Sequence, residues 1–353
     1  MAETRTLLEE PSPSVAVAAT VEEDDRCTHL YLQGAPDSGF AARSCWVRNH
    51  GEAPEKLEVE RMKQGEAPML PAGNCLWPNG SPHLDPGKLS LVWFEEGTGA
   101  ALFEADELLC LIPPTRDASV PGQARDCKTP SSLALPLGRP SENPLVARVE
   151  KARAFWKRWD AEDAWPAVEA SLVAAYQTGF GVAPQRKETE AADWPPRFVA
   201  RFELPGAVVL ATGGMSIRPQ PYAEGAAPRR LELAVAVEPA LAGTLPQLSR
   251  FLAAQTDLPW QAFTVLAPGH SIGCGAAIPK GPSGVAFEQL LVCKDPPGAP
   301  RVSLPVVEGE PVELLWLVPI TTAERAAEKD RAKLQQRLWA SGATWVHRDR
   351  PML

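Results

Sequence analysis

The chain carries 37 prolines in 353 residues, about double the ~5% of ordinary proteins. Proline fixes its own φ and offers no backbone N–H, so it is kept out of helix interiors and out of the middle of sheets. A chain punctuated this often must fold from short segments joined by loops, turns and edge strands. Hydrophobic residues make up 44% and charged residues 22%, a globular balance. At roughly 150 residues per domain, this length predicts two domains, each able to bury its own core.

Charge and apolar runs narrow the function classes. The formal net charge is −9 and no basic stripe offsets it, so nucleic-acid binding lacks its electrostatic basis. No run approaches the ~18 apolar residues of a membrane helix. Residues 1–25 are acidic, and their apolar run is only Val15 to Ala19. They lack the positive start and long apolar stretch of a secretory signal. The expectation is a disordered tail over 1–25 on a cytoplasmic protein with no membrane association. The seven cysteines form no CxxC pair. Reduced thiols are expected. Because the ligand spacing of zinc sites is absent, neither a metal nor a cofactor is expected.

Residues 26–112 read as a β-rich domain, with apolar runs at 90–94, 100–103 and 108–112 separated by turn residues. A further strand is expected over 40–47, and a weak helix over 54–63. Six prolines over 113–142 suggest a linker. Asn143-Pro144 then starts a helix with an N-cap and proline at N1. Leu145, Val149, Ala152, Trp156 and Trp159 line one face of it. A second helix is expected near 166–177, closed at Gly179. After Asp193 the period becomes two: Phe198, Ala200, Phe202 and Leu204, then Leu231, Leu233, Val235 and Val237. Thr244 opens another helix, strands follow near 287–293 and 312–318, and Thr321-x-x-Glu324 is a capping-box pattern. The order of helices and strands is that of an α+β fold.

Six segments carry a resemblance. Gly214-Met215-Ser216, Pro228-Arg229-Arg230-Leu231-Glu232-Leu233, Pro259-Trp260, Pro268-Gly269-His270-Ser271-Ile272, Phe287-Glu288-Gln289-Leu290-Leu291 and Leu314-Leu315-Trp316-Leu317-Val318-Pro319-Ile320-Thr321 occur in this order. Their order and spacing resemble the Suppressor of fused domain over about residues 145–342. The resemblance implies a mixed sheet with flanking helices over 143–353, preceded here by the small β-rich domain. It also implies a non-catalytic module that binds a protein or peptide. In the animal member, an extended peptide adds a strand at a sheet edge. That protein carries its second domain after the shared one, whereas here the extra domain comes first, so the groove does not transfer residue by residue. The Ala- and Pro-rich composition suits a high-GC bacterium. Bacterial members suggest an immunity role against a toxin, or a regulatory one.

Candidate chemistry centres on three places. His270 sits in a Gly-rich turn with Ser271 and Cys274 nearby. A hydrolase using this His with either nucleophile is the alternative to a binding module, although no nucleophile-elbow motif accompanies it. A structural His bonded to the turn backbone is the plainer reading. Gly213-Gly214-Met215-Ser216 ends a strand, where glycines either turn the chain or cradle an anion. Arg229, Arg230 and Glu232 enter the best alternating strand, as surface charge or as a carboxylate-recognising pair. Met215, Ser216, Arg229, Arg230, Glu232 and His270 are therefore the expected partner-binding residues. His29, His50, His83 and His347 stand isolated in the sequence.

Overall fold

The computed structural model describes residues 4–190, 194–223, 225, 227–278, 283–348 and 350. The chain divides into two units, Met1–Asp160 with Trp260–Phe263, and Ala161–Pro259 with Thr264–Leu353.

In the first unit, β1 (Arg5–Pro11), β2 (Val17–Glu23), β3 (Cys27–Gly34) and β4 (Arg43–Asn49) pair antiparallel in chain order. The supposed tail is therefore two strands of a sheet. Along β2 the side chains of Val17, Ala19 and Val21 are buried, while Ala18, Thr20 and Glu22 are only partly so. This alternation of one buried face survives the acidic composition that made the segment look unfolded. Between residues 54 and 63 the helix is a single turn, α1 (Val59–Lys63), with no buried residue.

A second sheet holds β5 (Leu89–Trp93), β6 (Ala100–Glu104), β7 (Glu107–Ile112), β8 (Gln123–Ala124) and β9 (Leu135–Pro136). The last two lie in the segment expected to be a linker. The Leu133 carbonyl accepts from Trp46 N, and Leu137 N donates to Ala124 O at 3.0 Å. At Gly122 an added Cβ would sit 2.4 Å from the Cys45 Cβ. Residues 113–142 are thus packed into the first unit, their prolines ending strands rather than freeing the chain.

Helix α2 (Pro144–Trp159) also belongs to this unit, not to the one that follows. Asn143 caps it, accepting from Leu145 N at 2.9 Å. Val149 and Ala152 pack against Val92, Phe94, Ala101, Phe103 and Leu111 of the second sheet and its β5–β6 turn. Phe155 is fully buried, whereas Trp156 and Trp159, expected in the core stripe, are half-buried. Two basic residues of α2 are occupied within the unit: Arg148 pairs with Glu96 at 2.7 Å, and Arg153 lies over the Phe103 ring.

The second unit opens with α3 (Ala164–Phe180). Its left-handed C-cap is Gly181 (φ 72°), not Gly179. Gly179 lies inside the helix because Val302 packs there, and a Cβ would meet its side chain at 2.7 Å. A mixed sheet follows, built from β10 (Arg186–Glu190), β11 (Arg197–Leu204), β12 (Ala207–Gly213), β13 (Arg230–Val237), β14 (Ser271–Gly273), β15 (Gln289–Cys293), β16 (Val312–Ile320) and β17 (Val346–His347). Its order is β10-β11-β12-β13-β16-β15-β14, with β17 joined to β13. The β13–β16 and β13–β17 pairs are parallel and the rest antiparallel.

Every residue of β12 and β13 is buried. These central strands are covered on both faces, so the alternation expected for β13 marks two buried faces and not one. Tyr176 and Phe180 of α3 pack at a tilt against Phe202, and Phe180 also meets Trp316. The helices α4 (Leu245–Gln255), α6 (Thr322–Ala327) and α7 (Arg331–Ala340) complete the α+β fold, and α5 (Leu258–Gln261) spans the division between the units. Thr321 and Glu324 form the full capping box of α6.

Candidate functional site

The expected partner-binding residues divide into a buried group and an exposed pair. Strand β12 ends at Gly213, and the chain turns through Gly214 (φ 109°) into a short 3-10 turn, Met215–Ile217. An added Cβ at Gly214 would fall 2.3 Å from the Pro196 carbonyl oxygen, so only glycine fits. The turn wraps around Glu232. One carboxylate oxygen accepts from Gly214 N at 3.0 Å, Ser216 N at 2.9 Å and Ser216 Oγ at 2.6 Å. The other accepts from Thr212 Oγ1 at 2.7 Å. Converging backbone N–H groups form an anion cradle, and here the chain's own carboxylate fills it. The glycines therefore hold no external anion.

Glu232 is completely buried, and desolvation raises its pKa above 4.5 while the Ser216 and Thr212 bonds pull it back. Arg230 is equally buried. Its Nε donates to Glu310 at 2.9 Å, and its Nη1 donates to the Ser216 and Ile217 carbonyls. Arg229 Nε donates to the other Glu310 oxygen at 2.9 Å. Met215 and Ser216 are buried as well. The structure thus brings Met215, Ser216, Arg230 and Glu232 together inside the unit. Their side chains lock the β12–β13 ends and are closed to a partner, which corrects the expected surface role. Glu310 completes the lock and went unnoticed, because it lies eighty residues along the chain in an unremarkable turn.

Arg229 and His270 lie nearer the surface. The Arg229 side chain is 37% exposed although paired to Glu310. His270 is exposed, with Nδ1 3.0 Å from the Val265 carbonyl, which requires an N–H there. Its carbonyl accepts from Val292 N, and Cys274 N donates to Glu288 O. Antiparallel ladders alternate, so Ser271 and Gly273 turn their N–H and C=O groups away from β15. β14 ends the sheet among the described residues.

The nucleophile readings find little support in this geometry. The Cys274 thiol donates to the Phe287 carbonyl at 3.3 Å, and burial pushes its pKa up to about 11, whereas an attacking cysteine needs its thiolate. Among the described residues, no hydrogen bond joins His270 to Ser271 or Cys274.

Elsewhere, His50 and His83 are not isolated: their rings stack at 4.1 Å beside Glu23. No described helix is long and apolar enough to cross a membrane.

Residues 193–350 match the family described as Suppressor of fused protein (SUFU). The match begins after α3, later than the expected start near residue 145, and leaves residues 1–160 of the first unit outside it. A solved chain described as a suppressor of fused homolog from Neisseria gonorrhoeae is 13% identical, with a TM-score of 0.41, covering 53% of this chain and 96% of that one. No curated protein matches the sequence.

Proposed function

We propose that the chain, with its Suppressor of fused family segment in residues 193–350, is a non-catalytic module that binds an extended peptide at the β14 edge of its mixed sheet. The observation supporting this is the geometry of that edge. Ser271 and Gly273 direct backbone donors and acceptors away from β15, and the exposed His270 stands at the strand's start. A peptide strand would take those groups through main-chain hydrogen bonds, and the side chains around His270 would select it. The strand is short, so the affinity must come largely from flanking contacts. A secreted toxin is one class of partner within this reading, in which case the protein acts by neutralisation.

The experiment is hydrogen–deuterium exchange on the full chain with a partner recovered by affinity capture from its native cells. Residues 269–274 should gain protection on binding. Ser271→Pro removes one outward N–H and leaves the bonds to β15 in place, so it should weaken capture without lowering the melting temperature. Protection confined to residues 4–160, or full affinity in the proline variant, would show the edge is not the binding site.

A further inference from the structure

The stacked histidines lie in the first unit, outside the family match, and form a donor cluster that the peptide-binding reading does not use. Glu23 is the last residue of β2, and His50 follows the last residue of β4. His83 lies in the loop before β5, tied down on both sides. Ser81 N donates to Asn49 O at 2.8 Å, and Leu84 N donates to Glu23 Oε2 at 3.2 Å. His50 Nε2 is 3.1 Å from Glu23 Oε2, and His83 Nδ1 is 3.1 Å from Glu23 Oε1. One ligand atom from each residue lies within 4.8 Å of the others.

The hydrogen bonds orient His50. Its Nδ1 lies 3.1 Å from the Ser81 carbonyl, which can only accept, so Nδ1 carries a hydrogen. Nε2 of the neutral ring therefore presents a lone pair toward the cluster. It faces another acceptor, Glu23 Oε2. Thr28 Oγ1 touches both, at 2.8 Å and 3.0 Å, but brings one proton for two acceptors. An imidazole whose remote N–H is held by a backbone carbonyl, beside a carboxylate, is the arrangement that metal-ligating histidines show. Ligands about 2.0–2.1 Å from a tetrahedral Zn²⁺ stand about 3.3 Å from one another. Each imidazole lies 3.1 Å from a different Glu23 oxygen, so sharing one oxygen requires the exposed His83 ring to shift within a cluster whose donor atoms already lie within 4.8 Å.

From these contacts we propose that Glu23, His50 and His83 form a binding site for a first-row divalent cation of the Zn²⁺ class. Two imidazoles and one carboxylate suit such an ion, whereas Mg²⁺ and Ca²⁺ prefer oxygen ligands throughout. Glu23 and His50 are 3% and 2% exposed at their side chains, and His83 is 56% exposed, so the site opens on one side. That side is a cleft of about 720 Å³ lined by Thr4, Arg5, Glu23, Asp24, Asp25 and His83. Its carboxylates favour a cation. Arg5 opposes one, because it donates to Glu23 Oε1 at 2.8 Å. Its side chain is 60% exposed and free to swing outward. The fourth coordination position faces the cleft, where water or a ligand group completes the shell.

The test is calorimetric titration of the full, reduced chain with ZnCl₂, and with MgCl₂ for contrast. All seven cysteines are buried, so the folded protein offers Zn²⁺ no competing thiol on its surface. The wild type should show saturable Zn²⁺ binding and none of Mg²⁺. His83→Ala removes a ligand from an exposed loop and should weaken Zn²⁺ by about tenfold or more, with its melting temperature in EDTA unchanged. Arg5→Ala removes the competing cation and should tighten Zn²⁺. A plain hydrogen-bonded cluster would respond to neither change in this way. Absence of saturable Zn²⁺ binding, or a His83→Ala variant with wild-type affinity, would overturn the proposal.

Discussion

Glu232 shows how a residue read as a surface group comes to hold a loop in place. Four donors converge on a carboxylate that no water reaches. Removing it leaves those donors buried and unsatisfied, at about 1–3 kcal/mol for each group that cannot relax. Glu232→Ala should therefore destabilise the second unit by about 3 kcal/mol or more in chemical denaturation. Glu232→Gln keeps an acceptor for the turn and a donor toward Thr212, and should cost about 1 kcal/mol. The pair also separates charge from shape. Burial raises the folded-state pKa above 4.5, so the folded protein binds this proton more readily than the unfolded chain. The stability from Glu232 is then fully present below 4.5 and falls as pH rises through the folded-state pKa. The stability of wild type relative to Glu232→Gln should shrink over that window. A difference that grows with pH would contradict the assignment. His270 makes the contrast: its side chain is exposed and bonds one turn carbonyl, so His270→Ala should change stability by only about 0.5 kcal/mol. A glycine turn at a strand end and a charged strand start singled out Met215, Ser216, Arg230 and Glu232 separately, but that they meet was not legible. Nor was their burial. Charged residues read as surface until their partner is found, and Glu310 lies some eighty residues away.

Among the elements, sequence and structure agree where the periodic signal is local. Strands β5, β6, β7, β11 and β13 fall within a residue or two of the apolar runs and alternations that foretold them. The cap signals divide by mechanism. Asn143 accepts from Leu145 N and donates to Gln123 and to the Leu137 carbonyl, so Asn143→Ala should cost about 1–2 kcal/mol. Thr244 precedes α4 in helical backbone geometry, and its hydroxyl donates backward to Leu241 O without capping. Thr244→Ala should cost no more than a few tenths of a kcal/mol. Equal losses in thermal melts of the two variants would mean that Asn143 caps nothing. The elements that escaped the sequence reading are those whose register depends on distant partners. β8 and β9 are two residues each and exist only because β7 lies beside β8 and β8 beside β9. Gly179 looked like a helix end because glycine usually marks one, whereas here it makes room for Val302.

For the whole molecule the boundary moves, and a Pro-rich composition is the reason it was misjudged. Prolines at 113–142 suggested a free linker, yet Trp46 N, Asn143 and Arg43 all bond into that segment. The acidic start suggested a tail, yet β1 and β2 pair over residues 5–23 and Glu23 is nearly fully buried. Composition averages over both faces of a strand, so a half-buried acidic strand and a disordered acidic segment look alike in it. The break between units falls instead after Asp160, with Trp260–Phe263 returning to the first unit. Limited proteolysis distinguishes the two organisations. If residues 5–23 are strands, a protease at low dose should leave Arg5 attached to the first unit, since cleavage requires an extended backbone that the β1–β2–β3 ladder withholds. Cutting should fall first near residues 160–163, between α2 and α3. N-terminal sequencing and mass measurement of the earliest products would decide it. A stable core beginning near residue 25, or one beginning between residues 115 and 145, would restore the tail-and-linker arrangement. Products that retain Arg5 and share a break at 160–163 would establish the two units as the structure divides them.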